Sequence, residues 1–205
     1  YRSMSYYFQQ DETLLVGAEQ IATLLLDNAV EALAVTPEHY DSGIHDCRRL
    51  IKMLRALLQL VRPAMRRSVF SSWNQTLRNT ARRLADIRDE AALAEVVESS
   101  LQNPTLALPD ASLLPRLQGL LAEGRGASQE HTASRMEDAR TLLSGLRGGL
   151  DVSVLGECGI KGGRAILRQG IYRSYRAGRQ GWKAIHRGGG IDAVHEWRKQ
   201  AKHLR

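Results

Sequence analysis

The residues best able to do chemistry in this chain are two sets of five cations at one shared spacing. His45, Arg48, Arg49, Lys52 and Arg55 stand at offsets 0, 3, 4, 7 and 10. His195, Arg198, Lys199, Lys202 and Arg205 stand at the same offsets 150 residues later. At roughly 100° per residue, each set fills a helical arc about 120° wide. The opposite side is apolar in both: Cys47, Leu50, Ile51, Leu54, Leu57, Leu58 and Val61 in the first, Val194, Trp197, Ala201 and Leu204 in the second. Such an arc offers anion binding, because a guanidinium fork matches the oxygens of a phosphate and Lys adds a point charge. A helix face that meets only water ordinarily mixes signs to form i,i+4 pairs. Neither arc contains an acid, so five like charges within ~15 Å of helix call for a polyanion or an acidic partner.

A third cationic ladder lies between them. Arg168, Tyr172, Arg176, Arg179 and Lys183 fall within about 80° of arc, with Tyr172 as a neutral hydrogen-bond donor to phosphate. Arg78 and Arg82 sit opposite an apolar face of Phe70, Trp73, Leu77, Ala81 and Leu84 and read as ordinary solvated arginines. Catalysis finds little support. Gly156 to Arg164 has the wrong glycine spacing for a nucleotide-binding loop. His195-Glu196 lacks the second His of a zinc-protease helix, and no carboxylate on the same face orients His45 or His195 as an acid or base. Two cysteines make neither a disulfide framework nor a zinc quartet; Cys47 reads as core, and Cys158 lies in a Gly-rich turn without an assigned role. The expectation is a non-enzyme with no metal and no cofactor.

The elements that must carry these ladders are helices. Residues 12–35 place Leu14, Leu15, Ala18, Ile21, Ala22, Leu25, Ala29 and Leu33 on one stripe, and the Thr36-Pro37 step and Gly43 end it. Further helices are predicted over about 43–62 (stopped by Pro63), 65–86, 89–102, 112–123, 128–147 and 161–187. Pro104, Pro109 and Pro115 mark a loop and a helix start. Gly188-Gly189-Gly190 closes the 161–187 helix, and a last one begins near Ile191 and is still running at Arg205. No segment alternates like a strand, so the fold class is all-α.

Charge is patterned on a longer scale. The net is −6 over 1–41, +9 over 42–88, −6 over 89–138 and +10 over 139–205, within a total of +7. That alternation hints at internal duplication. Arg outnumbers Lys 24 to 5, which favours phosphate recognition, although codon bias raises Arg equally well. The 43% of hydrophobic residues supplies a core and excludes disorder as the default, and 5% aromatics is low for a base-stacking surface. Apolar runs fall short of the ~18 residues that span a bilayer. The chain opens on Tyr1 rather than Met, which reads as a piece trimmed from a longer protein. Without a disulfide framework or a signal segment, a reducing cytoplasm is the simplest home.

In combination these motifs resemble the CHAD domain, the conserved histidine α-helical domain. That family carries a His-x-x-Arg-x-x-x-(Arg/Lys)-x-x-Arg helix in each of two related halves, which His45 to Arg55 and His195 to Arg205 both match. Leu84-Ala85-Asp86-Ile87-Arg88-Asp89 is similar to the family's Leu-Gly-x-x-Arg-Asp segment, with Ala85 in place of Gly. Tyr175-Arg176-Ala177-Gly178-Arg179 resembles its Tyr-Arg-x-Gly-Arg run. The resemblance implies two pseudo-symmetric antiparallel helical bundles, about 1–125 and 126–205, flanking a basic central pore or groove. The second half is expected to be truncated, because its ladder ends at Arg205 where the first continues for two more helices. The implied ligand is long-chain inorganic polyphosphate, bound by the three ladders together with Arg88, on polyphosphate granules or beside a triphosphatase domain. Other phosphate-rich polyanions remain as alternative ligands, and so does an acidic protein docked by the module in a regulatory or targeting role. Nucleic acid is the weaker reading, since the two repeated ladders lack the Asn, Gln or aromatics that read bases. A membrane surface is not expected, because the apolar faces read as core.

Overall fold

The computed structural model describes residues 8, 12–101, 113–147 and 160–203, except the side chains of 88–98, 100–101, 113–115, 117–118, 120–129, 160–161 and 202–203. The described residues form six α-helices: α1 Leu14–Ala32, α2 Tyr40–Val61, α3 Arg67–Leu101, α4 Leu113–Arg147, α5 Ile160–His186 and α6 Ile191–His203. Single 3-10 turns at Pro37–His39 and Arg62–Ala64 join α1 to α2 and α2 to α3. There is no strand among the described residues, and the protein is all-α.

Helix α1 begins where Thr13 caps it, its Oγ1 accepting from the Val16 amide at 3.4 Å. Its predicted stripe is buried, from Leu14 and Leu15 through Leu25 to Ala29, and Leu26, which the stripe did not include, is buried with it. Gly43, read from sequence as a breaker, instead lies inside α2. A Cβ there would press on the Ala32 carbonyl and stand 2.9 Å from Val35 Cγ2, so glycine lets the start of α2 close against the end of α1. The α2 stripe of Ile44, Cys47, Leu50, Ile51, Leu54, Leu57, Leu58 and Val61 is buried along its length.

Two expected helix breaks are absent. The segment predicted as helices over 65–86 and 89–102 is the single helix α3, and that predicted as 112–123 and 128–147 is the single helix α4. Nothing between Asp86 and Asp89 interrupts a helix, and the glycines at 124 and 126 each cost only about 1 kcal/mol relative to Ala. Each of these 35-residue helices is roughly 52 Å long at 1.5 Å per residue.

Helices α1 to α4 close a ring in which each packs on the next and α4 returns to α1. Phe70, Trp73, Leu77, Leu84 and Ile87 of α3 and Met136, Ala139, Leu143 and Leu146 of α4 complete its core. At about 1.5–3 kcal/mol for each fully buried large apolar side chain, this interior dominates the fold. Ion pairs at its rim are minor by comparison: Arg147 Nε to Asp27 at 3.0 Å and Arg83 to Asp138 at 3.9 Å are both exposed.

Helices α5 and α6 are attached differently. Every buried hydrophobic side chain of the described residues lies between Leu14 and Leu146; α5 adds only the half-buried Ile166 and Leu167. Helix α5 seats itself on the ring through glycines. A Cβ on Gly163 would meet Leu14 Cβ at 2.8 Å, and one on Gly170 would lie 2.9 Å from the Leu60 carbonyl carbon, nearer still to its oxygen. It ends in a left-handed turn at Gly188, φ +86°, with the Gly189 amide donating to Ala184 O at 2.9 Å and Gly188 to Ile185 O at 3.1 Å. That turn folds α6 back so that Trp197 lies over Gly181, with the Trp182 and Trp197 rings 5.5 Å apart.

Candidate anion-binding face

The first ladder runs along the outside of α2. His45, Arg49 and Lys52 are exposed, and Arg48 and Arg55 are half-buried. Arg55 is held: its Nε donates to Asn74 Oδ1 of α3 at 3.1 Å. Burial, with the Arg78 guanidinium as a smaller contribution, pushes the Arg55 pKa below its ordinary value. Arg78, read from sequence as merely solvated, therefore stands beside the ladder. The reason is that α3 returns alongside α2 after a single 3-10 turn, which brings residue 74 opposite residue 55.

The face does not stop at Arg55. Arg62 follows it by seven residues, as Arg55 follows Arg48, and so lies on nearly the same line of the helix. Its guanidinium sits 4.5 Å over the Phe70 ring. Its pKa is lowered by burial first, then by Arg173 of α5 and Arg67 of α3. Sequence reading missed Arg62, Arg67 and Arg173. The spacing of seven was a usable signal for the first of them.

On α6, His195, Arg198 and Lys199 are exposed. Lys202 lies within the helix with its side chain outside the described residues, as is the Arg88 side chain on α3. Arg205 and Cys158 lie outside the described residues altogether. The acid-free description of the two arcs needs correction. Asp46 pairs with Arg49 at 3.7 Å, and Glu196 pairs with Lys199 at 3.1 Å. Both acids occupy offset 1 and both bases offset 4, so the repeat includes an i,i+3 ion pair that steadies one cation in each copy.

The third ladder is present, with Arg168, Tyr172, Arg176, Arg179 and Lys183 all exposed. Its direction differs from that of a wall facing α2. Gly163, Gly170 and the buried Ser174 mark the seated side of α5, and at 100° per residue the ladder lies about 180° away from them. The outward surface also carries a shallow groove lined by Arg164, Leu167, Arg168, Ile171, Tyr172 and Tyr175.

Chemically, the α2 face is a track of guanidinium groups one to two turns apart. It suits multidentate contact with oxyanions and holds no nucleophile or paired carboxylates. Cys47 is buried, and desolvation pushes its thiol up to about 12. No group of three or more His, Cys, Asp or Glu side chains among the described residues is arranged to hold a metal ion. None of the described helices is long and apolar enough to cross a membrane. In comparisons with known proteins, the family model for the CHAD domain matches residues 20–205. No curated protein and no solved structure matches.

Proposed function

Because this chain belongs to the CHAD-domain family, we propose that it is a non-catalytic module that binds long-chain inorganic polyphosphate in the cytoplasm, on polyphosphate granules. The observation that carries the reading is the run of arginines at seven-residue spacing, Arg48 and Arg55 on α2 and Arg62 on the turn that follows it, with Arg78 and Arg67 of α3 and Arg173 of α5 near enough to depress the Arg55 and Arg62 pKa values. The exposed copy of the ladder on α6 supports it. In this reading α2 and α6 are equivalent helices of two related halves that line a basic groove.

The mechanism is multivalent charge neutralisation. A flexible chain with one negative charge per phosphate meets cations at helical intervals, each contact is weak, and the sum grows with chain length. Bound counterions are released, so affinity falls steeply with salt. The test is a titration with long-chain polyphosphate and with duplex DNA of matched charge across a salt series. Polyphosphate is expected to bind tighter by orders of magnitude at physiological salt, and pyrophosphate weakly. Equal affinity for DNA and polyphosphate overturns the assignment in favour of a generic polyanion surface. Joint replacement of Arg48, Arg55, Arg198 and Arg205 by Glu is expected to abolish polyphosphate binding with the helical CD signal intact.

A further inference from the structure

The sequence of α5 contains seven Lys and Arg residues and no Asp or Glu. Its outward surface is nevertheless not simply polar. Ile171, Tyr172 and Tyr175 stand 49%, 60% and 51% exposed within five residues of one another. Leu167, Ile171 and Tyr175 make one i+4 row along the helix, and Arg164, Arg168 and Tyr172 make the row beside it. These six side chains line the shallow groove. The groove therefore runs along a single helix between an apolar bank and a largely cationic one. It lies roughly 110° round α5 from Gly163, Gly170 and Ser174, the side seated on the ring.

The two banks together select a ligand. A phosphate chain would engage the guanidiniums but gain nothing from Leu167, Ile171 and Tyr175. An apolar row rimmed by charge and left open to water marks a surface made for a protein partner. Its complement is an amphipathic helix with apolar residues at i, i+4 and i+7 and carboxylates along the adjoining edge. The apolar row of that helix packs beside Leu167, Ile171 and Tyr175 as ridge into groove. Its carboxylates accept from the Arg164 and Arg168 guanidiniums and from the Tyr172 hydroxyl. A second copy of the same face fits badly, because it sets cation against cation. A lipid surface fits less well than a helix, because an interfacial helix presents a broad apolar face and this row is three side chains long.

We propose that the outward groove of α5 docks an acidic amphipathic helix of a partner protein. This assigns Arg168 and Tyr172 of the third ladder to a different ligand from the α2 track. The groove stands whether or not that track binds polyphosphate.

The test is fluorescence anisotropy with a labelled helical peptide of about 15 residues, long enough to span the groove. Its Leu residues repeat at i, i+4, i+7 and i+11, and its adjoining edge is Glu. The controls are the same residues in scrambled order and poly-Glu of equal charge. The ordered peptide should bind saturably, and both controls about tenfold more weakly or worse. Ile171→Ala and Arg168→Gln, both at exposed positions, should each weaken the ordered peptide about tenfold, the first through lost apolar burial and the second through a lost charge-assisted contact. Arg187→Gln removes the same charge beyond the end of α5 and should change nothing. Equal binding of a control peptide, no saturable binding of the ordered one, or unchanged affinity in Ile171→Ala would overturn the proposal. It is overturned too if Ile171→Ala instead abolishes binding to phosphatidylserine vesicles or self-association in sedimentation velocity, since the face then belongs to a membrane or to a second copy. Long-chain polyphosphate should bind Ile171→Ala as tightly as wild type. Failure of wild type to bind the polymer refutes the polyphosphate reading alone and leaves the peptide result standing.

Discussion

The seat of α5 on the ring rests on a side chain that is not there, which makes Gly170→Ala a sharp perturbation. The added Cβ would stand 2.9 Å from both the carbonyl carbon and the Cα of Leu60 and closer to the oxygen. These are backbone atoms of a buried helix, so no rotamer change relieves the contact, and α5 must lift or α2 must bend. Overpacking of this kind costs about 1–3 kcal/mol. Against it, Ala is favoured over Gly inside a helix by about 1 kcal/mol. With the clash against backbone, the upper part of the range applies, and the net is about 1–2 kcal/mol of destabilisation. At ~2–4 °C per kcal/mol for a chain of this size, Tm should fall by roughly 2–8 °C. Gly145→Ala on α4 is the control, since a Cβ there meets nothing within 4 Å. It should gain the propensity term alone, about 1 kcal/mol, and melt higher. Thermal melts followed by far-UV CD decide the matter. If Gly170→Ala is stabilising like Gly145→Ala, α5 does not rest on Leu60 and the inferred position of Arg173 falls with it.

Two further outcomes follow from burial. Leu77, fully buried between α3 and its neighbours, should cost about 2–5 kcal/mol when changed to Ala, whereas Ile171→Ala on the exposed side of α5 should stay within about 0.5 kcal/mol; urea denaturation of both variants reads the contrast, and similar losses would mean that the core extends into α5. The Cys47 thiol, raised to about 12 by desolvation, keeps its proton in the folded state where an exposed thiol ionises near 9. Its contribution is thus fully present below pH 9 and is lost as pH rises toward 12, by up to about 1.4 kcal/mol per pH unit. The difference in stability between wild type and Cys47→Ala, followed over that range, should shrink accordingly, and a pH-independent difference would show that the thiol ionises as freely folded as unfolded.

Much of this architecture was legible from residue order. The stripes of α1 and α2 were read with only Leu26 and Ile44 among their buried large apolar residues missed, because a period of 3.6 reports directly which side of a helix is dry. Helix ends and joints were harder. Gly43 and the 124–126 glycines look like breaks in a local window, yet packing against α1 uses the first, and the others are tolerated within α4. The repeated ladder was visible, but its Asp46–Arg49 and Glu196–Lys199 pairs were not, since an acid outside the arc by angle still reaches in by side-chain length. Periodicity also says that Arg168 to Lys183 share a face without saying what that face meets. Its outward direction is decided by Gly163 and Gly170, whose role depends on Leu14 and Leu60, more than 100 residues away. The same contact brings Arg173 to Arg62, a pairing with no trace in local sequence.

The uneven placement of the interior has a thermodynamic consequence. With the buried hydrophobic side chains of the described residues confined to the α1–α4 part of the chain, the molecule has one unit that opens only on global unfolding and a hairpin, α5–α6, that can detach at far lower free energy and exchange its amides sooner. A polyanion touching Arg62 and Arg173 at once would bridge the two units like a stitch across a seam. Part of its binding free energy would go into keeping the seam closed, so the measured affinity would report both how well phosphate is gripped and how often the hairpin is already docked.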